Sequence, residues 1–394
     1  MINLETPAFI VKKEVLQNSI DLIQSSLDKY FPKNVFSYSL KTNSLPYILK
    51  KIKSAGGYAE VVSSDEYELA RLVGFDINNI VYNGLLKSKS TFLESIEKGA
   101  IVNIDSQREI DWLDDLPKNK SFSVGIRINI DLDIISPKDA KVDEGYSRFG
   151  FSPENKDFKN AVSRITSHSN INLIGVHVHR TTLSRSVDVY EKIALYVGEV
   201  VKEYCLNIQY IDIGGGFYGI MDDKPTFDEY FDSISKGLSS TFDLNEVLII
   251  IEPGNAIVAS ALDFISSVID VKKIKDFHVI TTDGSRNDLD PFYKKSAYFH
   301  TIIASNPSGS IVPLQVVAGG TCLEYDKIFE LEDTNLLKLG DLIKYKSVGA
   351  YTMTLSPLFI RYFPNIYLED NGEYILIRKK WSAADFYSIY NTSE

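Results

Sequence analysis

Polar side chains stand at the ends of several apolar, strand-like runs of this sequence. The first run, Phe36–Asn43, alternates bulky and small residues before it reaches Lys41, and alternation with a period of two is typical of a strand. In such a strand Ser37, Ser39 and Lys41 share one face, and the small serines leave open volume for a ligand above the strand end. A lone lysine in this position is more often a solvated surface residue, so its meaning depends on the other strand ends.

Other strand-like runs end in the same way. His177 and His179 are two residues apart and therefore point to the same side of their strand, and a glycine triplet interrupts the strand that carries Asp212. One polar residue at one strand end would mean little, but the ordered set indicates a single site. Its members are Lys41, Glu60, Asn83, Asp105, Arg127, His179, Gly214 to Gly216 and Glu252.

The elements that position these residues alternate between strands and helices. Eight strand-like runs lie between about residue 35 and residue 255, and a helical segment follows most of them. One of these helices is predicted to begin after Ser63 and to end at Gly74. The count and the order of elements predict a (β/α)8 barrel, and a doubly wound sheet is the alternative. The carboxyl ends of barrel strands form the active site in such folds.

The residue pattern changes after about Ala261, where strand-like runs dominate and helical patterns become few. This pattern predicts a separate all-β domain, a β-sandwich or β-barrel, which the N-terminal strand near Thr6–Val11 completes. We predict a barrel domain over residues 12–262 and a β domain that combines residues 1–11 with residues 263–394.

Composition limits the classes of function. The chain has 394 residues, a net charge of −11 and two cysteines. The acidic balance argues against a nucleic-acid surface, and no apolar run is long enough to suggest a membrane span. Cys205 and Cys322 are far apart, so they suggest neither a disulfide framework nor a metal cluster. A cytoplasmic enzyme or binding protein without a metal fits these features.

The motifs resemble, in order and over nearly the whole chain, those of the fold-type III pyridoxal-phosphate-dependent decarboxylases. This family includes the diaminopimelate, ornithine and arginine decarboxylases, and the resemblance implies a barrel related to that of alanine racemase. Any one motif is weak, but the ordered set is specific. The matching segments are Tyr38-Ser39-Leu40-Lys41-Thr42-Asn43, Glu60-Val61-Val62-Ser63, Asn83-Gly84 with Lys87-Ser88, Asp105-Ser106, Ser147-Arg148-Phe149-Gly150, Gly175-Val176-His177-Val178-His179, Asp212-Ile213-Gly214-Gly215-Gly216-Phe217, Glu252-Pro253-Gly254, Asp283-Gly284, Gly320-Thr321-Cys322 and Gly349-Ala350-Tyr351.

The resemblance implies pyridoxal 5'-phosphate as the cofactor. Lys41 would hold it covalently through its primary amine, and Glu252 would pair with the pyridine nitrogen. His179 would stack on the ring, although an interior structural histidine is the alternative, and the glycine triplet would bring backbone N–H groups to the phosphate. Arg127 could instead serve a structural ion pair. The full set of implied cofactor contacts is Lys41, Glu60, Arg127, His179, Thr182, Gly214, Gly215, Gly216, Glu252, Gly254, Asn255 and Tyr351.

Cys322 and Tyr351 lie in the predicted β domain. In the family these positions complete an active site shared between two subunits, so the resemblance implies a homodimer. It also implies that Cys322 returns a proton to Cα after carbon dioxide leaves, while the alternative for this cysteine is a small buried core residue.

The sequence departs from the family pattern where the substrate is bound. An arginine of the family is replaced by Asn255, a second one by Asp290, and the acidic residue after the cysteine by Leu323, with Glu324 one place late. We therefore expect meso-diaminopimelate to be a poor substrate. A more specialised amino acid, free or bound to a carrier protein, is expected instead, and Arg180 and Arg286 are candidates to bind an acidic tail.

The leading hypothesis is a decarboxylase that converts an L-amino acid to the amine and carbon dioxide. A racemase is the alternative enzyme, but it would want an arginine opposite the ring nitrogen, where this chain has Glu252. An inactive homologue that acts as a binding protein is the alternative without catalysis. Retention of the four residues Lys41, His179, Glu252 and Cys322 argues against it.

Overall fold

The computed structural model describes residues 4–142, 147–304 and 310–390. The chain divides into two compact units, one formed by Ser19–Ile257 and the other by Met1–Asn18 together with Val258–Glu394. It starts with strand β1 (Ala8–Lys12) and helix α1 (Lys13–Tyr30). No helix in the described part of the chain is long and apolar enough to cross a membrane.

Eight parallel strands form a closed barrel in the first unit, which confirms the predicted fold. Each strand pairs with the next along the chain, and the last pairs with the first. The strands are β2 (Asn34–Ser39), β3 (Tyr58–Ser63), β4 (Ile80–Leu86), β5 (Ile101–Ile104), β6 (Phe122–Ile128), β7 (Ile171–Val178), β8 (Tyr210–Asp212) and β9 (Leu248–Ile251).

Helices connect the barrel strands, and local sequence sets their ends. Helix α3 begins after Ser63, whose hydroxyl accepts the Glu66 N–H at 3.2 Å, and ends at Gly74 with a left-handed φ of 97°; both ends were predicted. The helices of this region are α2 (Pro46–Ser54), α3 (Ser64–Val73), α4 (Lys89–Glu97), α5 (Gln107–Trp112), α6 (Leu132–Ile135), α7 (Asp157–Thr166), α8 (Val187–Glu203), α9 (Phe227–Ser239) and α10 (Asn255–Val258).

The second unit is built mainly from β-strands. Its sheet runs in the order β14-β13-β11-β10-β1-β16-β17, with β15 paired to β10 and β12. Its elements after the barrel are β10 (Leu262–Ile274), β11 (Phe277–Thr282), α11 (Arg286–Leu289), β12 (His300–Ile303), β13 (Ile311–Ala318), β14 (Lys327–Asn335), β15 (Leu342–Tyr345), β16 (Asn365–Asp370), β17 (Glu373–Arg378) and α12 (Ala383–Tyr387).

Strand β1 is an internal strand of this sheet. It pairs antiparallel with β10 and parallel with β16, which confirms that the N-terminal strand completes the β domain. Phe9 and Phe264 are fully buried, and their ring centroids lie 4.8 Å apart. Burial of two aromatic side chains contributes several kcal/mol, of the order of 2–3 kcal/mol each, so the N-terminal segment is part of the core of this unit.

Candidate active site

Lys41 lies in a turn at the end of β2. The strand was predicted to continue to the lysine, but it stops at Ser39, and Leu40–Thr42 form a single 3-10 turn. The Lys41 Nζ donates to Glu60 Oε2 at 2.9 Å, and the Ser39 hydroxyl donates to the same oxygen at 2.5 Å. Glu60 is buried while the lysine side chain is 40% exposed, so the amine is both held and accessible.

Glu252 follows β9 and is buried among polar groups. Its Oε1 accepts a hydrogen bond from Asn83 Nδ2, and its Oε2 lies 3.6 Å from His177 Nε2. Burial, and after it the charge of Glu252, raises the pKa of Asp212 well above its usual range.

Ligand atoms of His177, Asp212 and Glu252 all lie within 4.8 Å of one another, close enough to hold a cation. A carboxyl group must lose its proton to bind a metal well. The raised pKa of Asp212 weighs against metal ligation by this cluster.

The two predicted histidines are neutral at physiological pH. Burial is the main cause, with the nearby charge of Arg127, and it lowers the pKa of His177 well below its usual range and that of His179 to about 3. The N–H of Gly215 donates to His179 Nδ1 at 3.3 Å, which fixes this nitrogen as an acceptor. A neutral imidazole that is held in one orientation is well suited to stack, as a flat group, on a cofactor ring.

Arg127 forms a buried ion pair with Asp105, at 2.8 Å from Nη1 to Oδ2. Its Nη2 donates to the backbone carbonyl of His179 at 3.2 Å. The structural ion pair that the sequence left open is therefore present, and it supports the backbone that carries the histidine.

The glycine triplet after β8 adopts a conformation that side chains would prevent. Gly214 and Gly216 have left-handed φ values of 71° and 98°. A Cβ at Gly214 would lie 2.8 Å from His179 Nδ1, and one at Gly215 only 2.1 Å from the carbonyl oxygen of Glu252. The absence of side chains therefore lets the backbone of the triplet pack closely against both His179 and Glu252.

Gly254 is constrained in a similar way, since a Cβ there would lie 2.1 Å from Thr42 Oγ1. Asn255 is the first residue of α10 and is half-buried. Thr182 is buried, and its hydroxyl accepts the N–H of Arg185 at 3.2 Å. Arg180 follows His179 directly and is half-buried.

These groups fit pyridoxal phosphate. The accessible Lys41 amine suits covalent attachment, and the buried Glu252 carboxylate suits a protonated ring nitrogen. In the glycine turn the N–H groups of Gly214 and Gly215 already donate to Asp212 and His179, whereas Gly216 is exposed and leaves its backbone open to a phosphate. Asn83 donates hydrogen bonds to Glu60, the carboxylate that pairs with Lys41, and to Glu252. The lysine and Glu252 therefore belong to one hydrogen-bonded group.

The β domain carries the remaining predicted residues. Cys322 and Glu324 are exposed in the connection between β13 and β14, and Tyr351 is 42% exposed. Arg286 donates to Asp290 at 3.0 Å and to the carbonyl of Lys295 at 3.0 Å. Its guanidinium is thus engaged by its own loop.

Asp326 is a residue that sequence reasoning missed. It is buried and accepts the Thr321 hydroxyl at 2.6 Å, the Ser285 hydroxyl at 3.1 Å and the N–H of Arg286 at 2.8 Å. It therefore ties the loop of Cys322 to the turn before α11. The only signal was an aspartate four residues after the cysteine, which by itself indicates nothing.

Comparisons with known proteins identify the family of the chain. Residues 17–259 match the family model described as pyridoxal-dependent decarboxylase, pyridoxal binding domain. A diaminopimelate decarboxylase of Aquifex aeolicus is 25% identical over 388 residues, which is 95% of this chain and 89% of that protein. The enzyme of the same name from Bacteroides thetaiotaomicron is 27% identical over 363 residues, 88% of this chain and 91% of the relative.

Solved structures show the same fold. A diaminopimelate decarboxylase from M. jannaschii in complex with L-lysine has a TM-score of 0.84 at 24% identity and covers 98% of this chain and 92% of its own. The arginine decarboxylase of Paramecium bursaria Chlorella virus has a TM-score of 0.77 at 20% identity, over 93% and 97% of the two chains. With the family model matching more than half of its length, the chain belongs to the pyridoxal-dependent decarboxylases and is a carboxy-lyase that uses pyridoxal phosphate.

Proposed function

We propose that the protein decarboxylates an L-amino acid, or an intermediate derived from one, and releases the amine and carbon dioxide. The observation that carries this proposal is the placement of two carboxylates. Glu60 holds the Lys41 amine, and Glu252 lies buried at the other end of the same hydrogen-bonded group.

The residues would divide the work as follows. Lys41 holds the cofactor and accepts it again when the product leaves. Glu252 keeps the ring nitrogen protonated, since a buried carboxylate favours a positive partner. The cofactor, when bound, supplies the electron sink that accepts the electron pair of the bond between Cα and the substrate carboxylate when this bond breaks. His179 covers the ring as a neutral imidazole, and Cys322 delivers a proton to Cα.

Cys322 and Tyr351 are proposed to act in the active site of a partner subunit, which makes the homodimer the functional unit. Their exposure supports this, since both side chains are open to solvent in the single chain. Sedimentation or light scattering tests the dimer. Mixing inactive K41A subunits with inactive C322A subunits tests the shared site, since part of the activity should return only if each site uses both chains.

The substrate is proposed to differ from meso-diaminopimelate. Asp290 occupies the place of a substrate-binding arginine of the family, and its carboxylate accepts from Arg286, from Tyr298 Oη at 3.2 Å and from the Lys295 N–H at 2.8 Å. This carboxylate serves its own loop and cannot replace the bidentate grip of an arginine on a carboxylate. A specialised amino acid, free or attached to a carrier protein, is the proposed substrate class.

Three measurements test the function. Purified protein supplied with pyridoxal phosphate should absorb violet-blue light, and borohydride should fix the cofactor to Lys41. A panel of L-amino acids, including ornithine, lysine, arginine and meso-diaminopimelate, should then be screened for carbon dioxide release. Release from one amino acid but not from meso-diaminopimelate is the expected result. Efficient release from meso-diaminopimelate would contradict the altered substrate class.

A racemase is the competing enzyme, and exchange of the Cα hydrogen with deuterated solvent without carbon dioxide release would establish it. Glu252 argues against it, since racemases of this barrel type favour a neutral ring nitrogen and a carboxylate favours a protonated one. An inactive binding homologue would neither retain cofactor after borohydride treatment nor release carbon dioxide.

A further inference from the structure

Asn83, on strand β4, hydrogen-bonds two carboxylates of the site at once. Its Nδ2 donates to Oε1 of Glu252 and, at 3.4 Å, to Oε1 of Glu60. All three side chains are buried, with 2%, 5% and 1% exposure for Asn83, Glu252 and Glu60. The other oxygen of Glu60 accepts from Lys41. Asn83 thus lies between the carboxylate that faces the lysine and the carboxylate assigned to the ring nitrogen.

A second asparagine, Asn103 on β5, fixes the orientation of the Asn83 amide. Asn103 Nδ2 donates to Asn83 Oδ1 at 2.8 Å, and Tyr210 Oη donates to Asn103 Oδ1 at 2.7 Å. Because an amide has one acceptor atom and one donor atom, this chain of bonds leaves the Asn83 NH2 group facing the carboxylates. The flipped amide would aim an oxygen at two carboxylates and is excluded.

The backbone on both sides of this contact is also held. Lys87 Nζ donates to the carbonyl of Gly84 at 2.7 Å and to the carbonyl of Asn103 at 3.1 Å, and it pairs with Glu109 at 3.1 Å. Both charged side chains are fully buried. The two asparagines are therefore supported by an ion pair that clamps β4 to the end of β5.

The chemistry explains why an amide is suited to this position. A cation in its place would neutralise Glu252 and compete with a protonated cofactor ring for the carboxylate, whereas an amide donates a hydrogen bond without adding charge. His177, whose Nε2 lies 3.6 Å from Oε2 of Glu252, adds no positive charge, because burial lowers its pKa well below the usual range.

We propose that Asn83 is a positioning residue that fixes the Glu252 carboxylate for the cofactor ring and couples it to the Lys41–Glu60 pair. The effect on the cofactor rests on the proposed function, while the effect on the position of Glu252 does not. Asn83 acts through Glu252 and Glu60 and is not itself assigned a contact with the substrate.

Two substitutions test this proposal. Asn83→Leu removes the donor and keeps the branched shape with the same number of side-chain heavy atoms, and Asn83→Ser keeps a hydroxyl and relieves any crowding. Crystal structures of the cofactor-free proteins report the position of Glu252, and absorbance titration reports the dissociation constant for pyridoxal phosphate. Loss of a hydrogen bond to a charged group is expected to weaken cofactor binding about tenfold to a hundredfold in N83L, with a smaller loss in N83S.

Asn365→Leu is the matched control. Asn365 lies on β16, is 3% exposed and donates to Glu5 at 3.2 Å, so its loss removes a buried amide bonded to a glutamate outside the barrel. N365L is expected to destabilise its own domain and to leave the affinity for pyridoxal phosphate unchanged.

The outcomes separate the two proposals. Displacement of Glu252 with weaker cofactor binding supports the positioning role. An unmoved Glu252 in N83L overturns it, and so does a displaced Glu252 with unchanged affinity. If the wild-type protein takes no cofactor on Lys41 while Glu252 moves in N83L, the positional link stands and the proposed function fails. If N83L does not fold, N83S decides by the same two measurements.

Discussion

Arg127 Nη1 lies 2.8 Å from Asp105 Oδ2, and the two side chains are 7% and 1% exposed. The second oxygen of Asp105 accepts the N–H of Gly150 at 2.6 Å, while the arginine also donates to the carbonyl of His179. One buried ion pair thus ties the loop after β6 to the end of β7. The attraction within such a pair adds little net stability. Losing one partner is costly because the charge of the other partner then stays buried without a counter-charge.

Asp105→Asn is therefore expected to lower the free energy of unfolding by about 3–5 kcal/mol, since it leaves the Arg127 charge buried without its carboxylate. Urea unfolding followed by circular dichroism measures the change. The matched control is Asp115→Asn, which removes the Lys89–Asp115 pair at 2.6 Å with side chains 48% and 50% exposed; its expected effect is below about 1 kcal/mol. Equal effects of the two substitutions would contradict the buried-charge argument.

Lys41→Ala should abolish covalent cofactor attachment. Borohydride reduction with pyridoxal phosphate, followed by peptide mass spectrometry, should find the label on Lys41 in the wild type and nowhere in the variant. Carbon dioxide release should fall by roughly a thousandfold or more, as for other lost covalent groups. Lys50→Ala, at an exposed lysine of α2, should change neither measurement. A label on another lysine of the wild type would refute the assignment.

The sequence predicted those residues of the site that the fold alone brings together. Parallel barrel strands end at one rim, so Lys41, Glu60 and Glu252 could be grouped without knowing any contact. The 3-10 turn at Lys41 was not predicted, and the contact beside it is remote in sequence: the Ser39 N–H donates to the carbonyl of Pro253 at 3.3 Å, more than two hundred residues away. The alternation of bulky and small residues along a strand does not indicate such a distant partner.

The hydrogen-bond partners of buried polar residues were the other missing part. Asn103 was an unremarked residue of an apolar strand, yet it orients Asn83. Asp326 was likewise unremarked, and its bond to the N–H of Arg286 joins positions forty residues apart. Residue type identifies which groups need partners, but only the packed chain shows which partners they find.

The lowered pKa values of His177 and His179 predict a stability that depends on pH. Both have folded-state pKa values below the usual value of 6.5, about 3 for His179. Above pH 6.5 both histidines are neutral in the folded and in the unfolded chain, so their titration does not lower the stability there. As pH falls from 6.5 toward 3, the unfolded chain binds protons that the folded chain resists, and stability is lost.

His179→Gln should make this loss less steep, because glutamine does not titrate. Urea midpoints of the cofactor-free protein, measured at intervals between pH 8 and pH 4, give the slope, and the values above pH 7 serve as the internal reference. A variant whose midpoint falls with pH as steeply as that of the wild type would show that His179 does not contribute to the loss.

Gly215→Ala should disrupt the cofactor site through a backbone clash. The added Cβ would lie 2.1 Å from the carbonyl oxygen of Glu252, so either the glycine turn or the strand end must move. We expect at least a tenfold weaker affinity for pyridoxal phosphate, measured by absorbance titration, and a loss of stability of roughly 1–3 kcal/mol.

Gly99→Ala separates this effect from ordinary backbone strain. Gly99 also has a left-handed φ, 85°, but a Cβ there meets nothing within 4 Å. It should cost about 1 kcal/mol of stability and leave cofactor affinity unchanged. If both variants bind the cofactor as the wild type does, the glycine turn does not shape the site.

Asp326→Asn tests whether the loop of Cys322 must be held in place. The carboxylate accepts donors on both of its oxygens, whereas asparagine would present an NH2 group to some of them. We expect a loss of stability of about 1–3 kcal/mol. If Cys322 supplies the proton to Cα, turnover should also fall by about tenfold while cofactor affinity is retained, since the cofactor groups of the barrel are unchanged.

Asp333→Asn provides the comparison for Asp326→Asn. Asp333 is exposed on β14 and has a left-handed φ of 48°, a conformation that asparagine adopts readily, so this variant should match the wild type in stability and turnover. Wild-type turnover in a destabilised D326N protein would separate the two effects. It would mean that the loop is ordered by Asp326 for the stability of the β domain alone, and that Cys322 reaches its position without that support.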